Sequence, residues 1–300
     1  MANVQREGLE PLDRSLAAAV AAVAPSVLHL SRDHGGGTAL VWRDDLAITS
    51  SFHCPDEPKV WVASADGELE ARQAVVVGRD PGLDLAVLRV PGALAAPVYR
   101  EAQSLAVGGL AVALGRPGRS VRASLRMIGV LGTDVRTPGG GTLTAYVETD
   151  RQIPRGFAGG PLIDVGGQVI GMSTRTLLRG CDLAITAADL ERSVAQLVSH
   201  GVIRRGYLGL GVTPVVLARQ LAQELGRERG VLVSALDDGG PAEAAGIRQG
   251  DIVLALDGHA VPGPLELREL VSERPDAKVE LELVRGGQLQ TLTATLGTRP

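Results

Sequence analysis

Short apolar runs, each bounded by Gly, Asp or Pro, dominate the chain from residue 27 to about residue 169. Strand-length runs separated by turn residues at this spacing are typical of an all-β barrel or sandwich. After residue 206 a shorter pattern predicts strands, one helix and two final strands. The runs in the first region lie at 38–42, 46–49, 59–63, 74–77, 85–90 and 110–114.

Helical periodicity appears in three segments. Residues 1–10 are predicted to form a loose terminus, and Pro11 then suits an early helical position. His200-Gly201 ends the second helix, because glycine is typical just after a helix. Prolines bracket the third helix, Pro264 at its start and Pro275 beyond its end. The predicted helices are residues 11–24, 187–199 and about 265–273.

The length of 300 residues suggests two domains. The break falls after the second helix, where Arg204-Arg205 marks the end of a short linker. The predicted division is an N-terminal helical segment at 1–25, a first domain at 26–200, a linker at 201–205 and a second domain at 206–300.

Composition excludes several functions. Aromatic residues are 2% and hydrophobic residues 45%, so the cores must be built from Val, Leu, Ile and Ala. A net charge of -4 without a Lys/Arg run argues against a general nucleic-acid binder. No apolar run is long enough to span a membrane.

The two cysteines, Cys54 and Cys181, are predicted to be free thiols, with a single bridge as the alternative. Neither their spacing nor the scattered histidines suggest a metal site, and no cofactor is expected. The apolar segment 16–24 lacks a basic region before it. This predicts a cytoplasmic location, or a periplasmic or other extracytoplasmic one if the chain is trimmed from a longer precursor.

A glycine-rich turn carries the candidate chemistry. Its sequence is Gly156-Phe157-Ala158-Gly159-Gly160-Pro161. Acyl transfer needs two N–H groups aimed at one developing oxyanion, and glycine permits the backbone angles of such a turn. The turn resembles the nucleophile loop of trypsin-like serine proteases, with Ala158 where the nucleophilic serine belongs. The resemblance implies an oxyanion hole formed by the N–H groups of Gly156 and Ala158.

Two upstream segments supply the other members of a catalytic triad. Residues 48–54, Ile-Thr-Ser-Ser-Phe-His-Cys, and 80–88, Asp-Pro-Gly-Leu-Asp-Leu-Ala-Val-Leu, resemble the segments of that family with its histidine and aspartate. His53 is therefore the candidate base and Asp84 the carboxylate that orients it. Alone, each would be an ordinary surface or turn residue. Their order and the downstream glycine turn favour the catalytic interpretation.

Four further segments resemble those of the HtrA branch, and the similarity runs from about residue 27 to the C-terminus; they are residues 35–38, 147–150, 169–174 and 183–185. The similarity implies a mainly β fold of two six-stranded trypsin-like β-barrels followed by one PDZ domain. Ile153 matches one wall of the primary substrate pocket, whereas Arg175 replaces an apolar residue of the other wall. A small apolar substrate side chain is the family's usual preference, and Arg175 could favour another.

The second domain resembles PDZ domains at Gly206-Tyr207-Leu208-Gly209-Leu210 and at residues 239–253. Backbone N–H groups in such a loop capture a terminal carboxylate, and the peptide adds to a sheet edge. The resemblance therefore implies C-terminal peptides as ligands. The candidate groove residues are Tyr207, Leu208, Gly209, Leu210, Leu267 and Val271.

By resemblance, the chain is expected to be an ATP-independent endopeptidase for unfolded or damaged proteins, assembled as a homotrimer. With Ala158 it should not form an acyl-enzyme. We favour an introduced Ser→Ala substitution, because both His53 and Asp84 are present. The alternatives are a natural pseudoprotease that binds peptides as a chaperone, and a PDZ adaptor without latent activity.

Overall fold

The chain forms two compact units, Met1–Ile203 and Arg204–Pro300. A computed structural model describes residues 2–32, 35–64, 68–100, 104–178, 181–272 and 274–299, with side chains from residue 10 onward except at 176. Within these ranges no helix has the length and apolarity needed to cross a bilayer. The described residues also contain no cluster of His, Cys, Asp or Glu suited to a metal ion.

The N-terminal helix is longer than predicted. Helix α1 covers Ala2–Val23, so the expectation of a loose terminus at 1–10 is wrong. Pro11 removes one backbone hydrogen bond, but the residues before it include good helix formers, and the helix continues through it. Ala19 and Val23 are buried in the core of the first unit, and Leu16 and Val20 pack against it.

Seven strands form the first sheet, in the order β5-β4-β1-β2-β3-β7-β6. A six-stranded barrel was expected. The difference arises at Ala74, whose N–H bonds to the Pro58 carbonyl oxygen at 2.9 Å and divides one extended segment into β5 and β6. These two strands lie at opposite edges of the sheet, and the chain passes from one edge to the other at Ala74. The strands are β1 Val27–Leu30, β2 Gly37–Arg43, β3 Leu46–Ser50, β4 Lys59–Ala63, β5 Leu69–Gln73, β6 Val75–Asp80 and β7 Leu85–Arg89.

The second sheet is a closed six-stranded barrel, as expected, with the order β10-β13-β12-β11-β8-β9. Closure leaves no unpaired strand edge. Its interior is mostly aliphatic and contains Phe157 from the glycine turn. The strands are β8 Leu110–Gly115, β9 Arg122–Arg136, β10 Thr142–Thr149, β11 Pro161–Asp164, β12 Val169–Leu178 and β13 Cys181–Thr186.

Helix α2, Ala187–His200, agrees with the prediction and ends at Gly201 in the left-handed conformation. Its buried Asp189 holds the helix to β10. The carboxylate accepts hydrogen bonds from the Thr144 N–H at 3.0 Å and the Thr144 hydroxyl at 2.8 Å, and it also pairs with Arg192. Burying a carboxylate is favourable only when it is satisfied in this way.

The second unit is a six-stranded antiparallel sheet, with the order β15-β16-β17-β19-β20 and β18 paired to β17, and a short ribbon of β14 and β21. Asp257-Gly258 makes the predicted tight turn, between β17 and β18. The short helices α3 and α4 were not predicted, because one or two turns give little periodicity. The elements are β14 Arg205–Tyr207, β15 Leu210–Val216, α3 Arg219–Leu225, β16 Arg229–Leu236, α4 Pro241–Ala244, β17 Ile252–Leu256, β18 His259–Ala260, α5 Pro264–Ser272, β19 Lys278–Arg285, β20 Gln288–Thr295 and β21 Gly297–Arg299.

Replacing Asp189 should destabilise the first unit specifically. We expect Asp189→Ala to cost about 3 kcal/mol, because the N–H groups of Thr144 and Ala145 lose the fully buried carboxylate that accepts their hydrogen bonds. Glu191→Ala on the same helix is the control, since Glu191 is half exposed in its pair with Arg43 and should contribute less than about 1 kcal/mol. Urea denaturation would measure both, and equal small effects would contradict this account of α2.

Candidate active site

The predicted base and carboxylate lie on neighbouring elements of the first sheet. His53 is half-buried in the 3₁₀ turn Ser51–His53 that follows β3, and Asp84 is buried in the turn before β7. Because β3 and β7 pair antiparallel, with Ser50 opposite Leu85, the two turns meet at one end of the sheet. Residues 31 positions apart in the sequence are thereby brought together.

A serine hydroxyl lies between the two side chains. Ser50 Oγ is 2.9 Å from His53 Nδ1 and donates to Asp84, whose two carboxylate oxygens are each 2.9 Å away. Because the Ser50 hydroxyl donates its hydrogen bond to Asp84, Ser50 Oγ is free to accept a hydrogen bond from His53 Nδ1–H. In that tautomer of the neutral imidazole, Nε2 carries no proton. The link between His53 and Asp84 in this structure therefore runs through Ser50.

Asp84 has further donors. The Phe52 N–H donates to Oδ1 at 2.9 Å and the Thr174 hydroxyl to Oδ2 at 2.6 Å. Together with Ser50, these donors satisfy the Asp84 carboxylate. The backbone of Asp84 is in the left-handed region, with φ of 50°.

The glycine turn packs against the end of the first sheet. Gly159 has φ of +87°, and a Cβ there would lie 2.4 Å from the Thr38 carbonyl oxygen. Gly156 has φ of +83°, and its own Cβ would lie 2.6 Å from Pro117 Cβ. The Thr38 hydroxyl donates to the Gly156 carbonyl oxygen at 2.5 Å. Both glycines are thus required, because each has a positive φ and each lies where a Cβ would collide with a neighbouring atom.

The turn leaves two backbone donors unused. Among the described residues, neither the Gly156 nor the Ala158 N–H has a hydrogen-bond acceptor, whereas Phe157 N–H donates to the Pro154 carbonyl oxygen. Gly156, Ala158 and His53 line one cleft of about 500 Å³. The methyl group of Ala158 cannot act as a nucleophile, but its N–H keeps the donor that the sequence predicted.

Positive side chains surround this cleft. Arg32, Arg155 and Arg175 line it with the glycines 35–37. Burial lowers the pKa of His53 from its usual value, and Arg32 lowers it further, whereas Asp84 raises it and Arg175 lowers it. The imidazole is therefore biased toward its neutral form, the form that a general base requires.

The two predicted pocket residues have different surroundings. Arg175 lines the cleft and is 3.5 Å from Asp182, which also accepts the Ile153 N–H at 2.6 Å. Ile153 is buried in the core of the second barrel and is not among the residues lining the cleft. Cys54 and Cys181 are both free thiols, as predicted.

A second concave surface lies between β15 and α5. Its volume is about 530 Å³, and all six predicted PDZ residues line it: Tyr207, Leu208, Gly209, Leu210, Leu267 and Val271. Within the described chain, the N–H groups of Leu208 and Gly209 have no acceptor. Strand β15 is an edge of its sheet, where an extended peptide can pair.

Comparison with known proteins agrees with both units. The trypsin-like peptidase domain matches residues 37–172, and the PDZ domain matches residues 206–296. A "Probable periplasmic serine endoprotease DegP-like" from Rhizobium meliloti (strain 1021) is 32% identical over 279 residues, which are 88% of this chain and 53% of that protein. A protein of the same name from Chlamydia trachomatis serovar D is 30% identical, covering 90% and 55%.

Among solved structures, the HtrA-type protease AlgW with a decapeptide superposes with a TM-score of 0.72 at 26% identity, covering 95% of this chain and 99% of that one. A serine-to-alanine variant of AlgW with a decapeptide gives 0.74 at 26% identity, covering 95% and 98%. The chain belongs to the HtrA-type trypsin-like serine proteases. This HtrA-type chain spans about half the length of the curated relatives it matches.

The relatives correct one expectation. A cytoplasmic location was predicted, but the DegP-like relatives are named periplasmic. The prediction was wrong because it relied on the lack of a basic segment before an apolar one. A secretory signal is removed from the mature protein, so this lack carries no information about the compartment.

Sequence reasoning missed several residues of this HtrA-type site. Ser50 stands three positions before His53, and Thr174 lies on β12. Hydroxyl residues are common in strands, so neither gave a signal. Arg32 and Arg155 were also missed as cleft residues, because only the folded chain brings both to the cleft that His53 lines.

The titration of His53 should reflect its burial and the neighbouring charges. We expect His53 to titrate below 6.5, Arg32→Gln to raise its pKa by removing a positive charge, and Asp84→Asn to lower it. NMR of the histidine Cε1–H signals would measure this, with His53→Gln for assignment. Arg122→Gln, at an exposed residue outside the cleft, is the control. A His53 pKa above 6.5 that does not change in the Arg32→Gln variant would contradict the proposed electrostatics.

Proposed function

We propose that this chain is an HtrA-like, ATP-independent endopeptidase for unfolded or damaged proteins, with Ala158 in place of its nucleophilic serine. The observation that carries the proposal is the cleft in which His53, Ala158 and the free N–H groups of the glycine turn meet. A binding protein has no need of two inward N–H donors beside an imidazole held by a buried carboxylate. The names of the DegP-like relatives support the same activity.

With serine at position 158, the residues would act in sequence. His53 Nε2 would take the hydroxyl proton while the serine oxygen attacks a peptide carbonyl carbon. The Gly156 and residue-158 N–H groups would stabilise the oxyanion, and Asp84 would stabilise the imidazolium through Ser50. Without the hydroxyl this path is closed. Loss of a triad nucleophile costs roughly 10⁶-fold in rate in subtilisin.

We further propose that Ala158 is an introduced substitution. Gly156, Gly159, Ser50 and Asp84 keep an arrangement whose evident use is acyl transfer. A natural pseudoprotease that binds peptides is the alternative, and the same cleft and PDZ groove support it. The PDZ adaptor without latent activity is less favoured, because it gives no use to His53.

The second unit is proposed to bind the C-terminus of a peptide in the groove between β15 and α5. The N–H groups of Leu208 and Gly209 would hold the carboxylate, and Leu267 and Val271 would contact the last side chain. AlgW, a related HtrA-type protease, was solved with peptides. A periplasmic location and a homotrimeric assembly complete the proposal, the former from the relatives' names.

Restoring serine should restore proteolysis. We expect Ala158→Ser to cleave an unfolded protein such as casein, because the base, the carboxylate and both oxyanion donors are in place. The matched control is Ala158→Ser combined with His53→Ala, which should lose the activity. Gel analysis and release of labelled fragments would measure both. No cleavage by the revertant, even with a C-terminal peptide added, would favour the pseudoprotease.

The PDZ groove should distinguish a free carboxylate from an amide. We expect a peptide with an apolar last residue and a free C-terminus to bind at least about tenfold more tightly than its C-terminal amide, a difference of about 1.4 kcal/mol. The physical reason is the pair of unused N–H groups at Leu208 and Gly209. Fluorescence anisotropy would compare the two peptides. Equal affinities would exclude carboxylate capture.

A further inference from the structure

The charge around the catalytic cleft is unbalanced. Three arginines, Arg32, Arg155 and Arg175, come from three separate segments and line it, and none of its described lining residues is acidic. Arg175 is partly neutralised by Asp182 at 3.5 Å. Arg32 and Arg155, in contrast, have no ion-pair or hydrogen-bond partner among the described residues. Two guanidinium groups at the cleft are therefore available to a ligand.

A further arginine of the same unit, Arg126 on β9, is buried and does not line the cleft. Arg126 is 2% exposed, and its Nη2 donates to the Gln152 carbonyl oxygen at 3.1 Å. Its Nε and Nη1 atoms have no hydrogen-bond partner within the described structure. Buried donors without partners are unusual in folded proteins. Arg126 is therefore a buried cation with unsatisfied donors, and it is not part of the cleft lining that could meet a ligand.

Arg155 is also in the right place to meet a substrate side chain. It precedes Gly156, one of the two proposed oxyanion donors, so it lies beside the point that a scissile carbonyl would occupy. Residues of an extended peptide are about 3.3 Å apart, and those one or two positions from the bond would pass this arginine. Guanidinium groups bind carboxylates with paired hydrogen bonds as well as charge.

We propose that the catalytic cleft selects peptide segments with an acidic side chain within two residues of the bond to be cleaved, and that Arg32 and Arg155 bind this carboxylate. The inference deepens the proposed peptidase function and rests on it. It departs from a preference determined only by small apolar side chains. Selection by charge also fits the lowered pKa of His53, because Arg32 and Arg175, which line the same cleft, both disfavour the imidazolium.

A binding experiment on the chain as it stands tests the proposal, because Ala158 leaves a bound peptide intact. The probes are two labelled peptides that differ only in having glutamate or glutamine on either side of a central Val–Ala bond. Both carry a C-terminal amide, which removes the carboxylate proposed to bind the PDZ groove. Fluorescence anisotropy should give roughly tenfold tighter binding of the glutamate peptide at low salt, with the preference shrinking at high salt.

Variants assign the effect to residues. Arg32→Gln and Arg155→Gln should each reduce the glutamate preference by about threefold or more, in line with the loss of one exposed charge contact. Arg122→Gln changes the net charge equally at an exposed residue outside the cleft, and it should leave the preference intact. Equal binding of both peptides, or a preference that Arg122→Gln lowers as much as Arg155→Gln, would overturn the inference.

Cleavage by the Ala158→Ser revertant separates this inference from the proposed function. The revertant should cleave the glutamate peptide with the higher kcat/KM. Cleavage of casein together with equal kcat/KM values for the two peptides would overturn the charge selection and leave the peptidase function standing. No cleavage of casein or of either peptide would remove the peptidase function and, with it, the basis of this inference.

Discussion

The close approach of the glycine turn to the first sheet is the constraint on which the catalytic arrangement depends. Gly159 lies where any side chain would collide with the Thr38 carbonyl oxygen and the Thr49 hydroxyl. Hydrogen bonds hold the turn to both sheets. The Gly159 N–H donates to the Ser173 carbonyl oxygen on β12, and the Thr38 hydroxyl on β2 donates to the Gly156 carbonyl oxygen. This contact joins the seven-stranded sheet, which carries His53 and Asp84, to the closed barrel, which leads into Ala158.

Phe157 gives the same turn an anchor. Its ring is 3% exposed and belongs to the core of the closed barrel. Gly115 makes room for it, because a Cβ there would lie 2.7 Å from the ring. In a chain with so few aromatic residues, a buried phenylalanine inside a catalytic turn contributes apolar surface that the neighbouring glycines cannot. The backbone donors at Gly156 and Ala158 are then held by packing as well as by hydrogen bonds.

The electrostatic design of the site separates two tasks. Asp84 is buried, and its carboxylate accepts hydrogen bonds from Ser50, Phe52 and Thr174. Of these three, Ser50 also contacts the imidazole of His53. The arginines lie on the cleft side, where a substrate would enter. Ser50 stands at the boundary between them. Through its hydroxyl the carboxylate can orient His53 without a direct hydrogen bond between the two side chains.

The sequence by itself determined the element types and most of the candidate site. Apolar runs of strand length predicted β2, β3, β4, β7 and β8, and the glycine turn with His53 and Asp84 indicated the candidate catalytic site. Local patterns of this kind can be recognised in the sequence alone, because they depend on backbone periodicity and on residues that few others can replace. Only the tertiary structure decided the division of one strand at Ala74, the continuation of α1 through Pro11, and the neighbours Ser50, Arg32 and Arg155 of the site. Those features depend on which distant segments pack together, and a common serine or arginine has no local signature until they do.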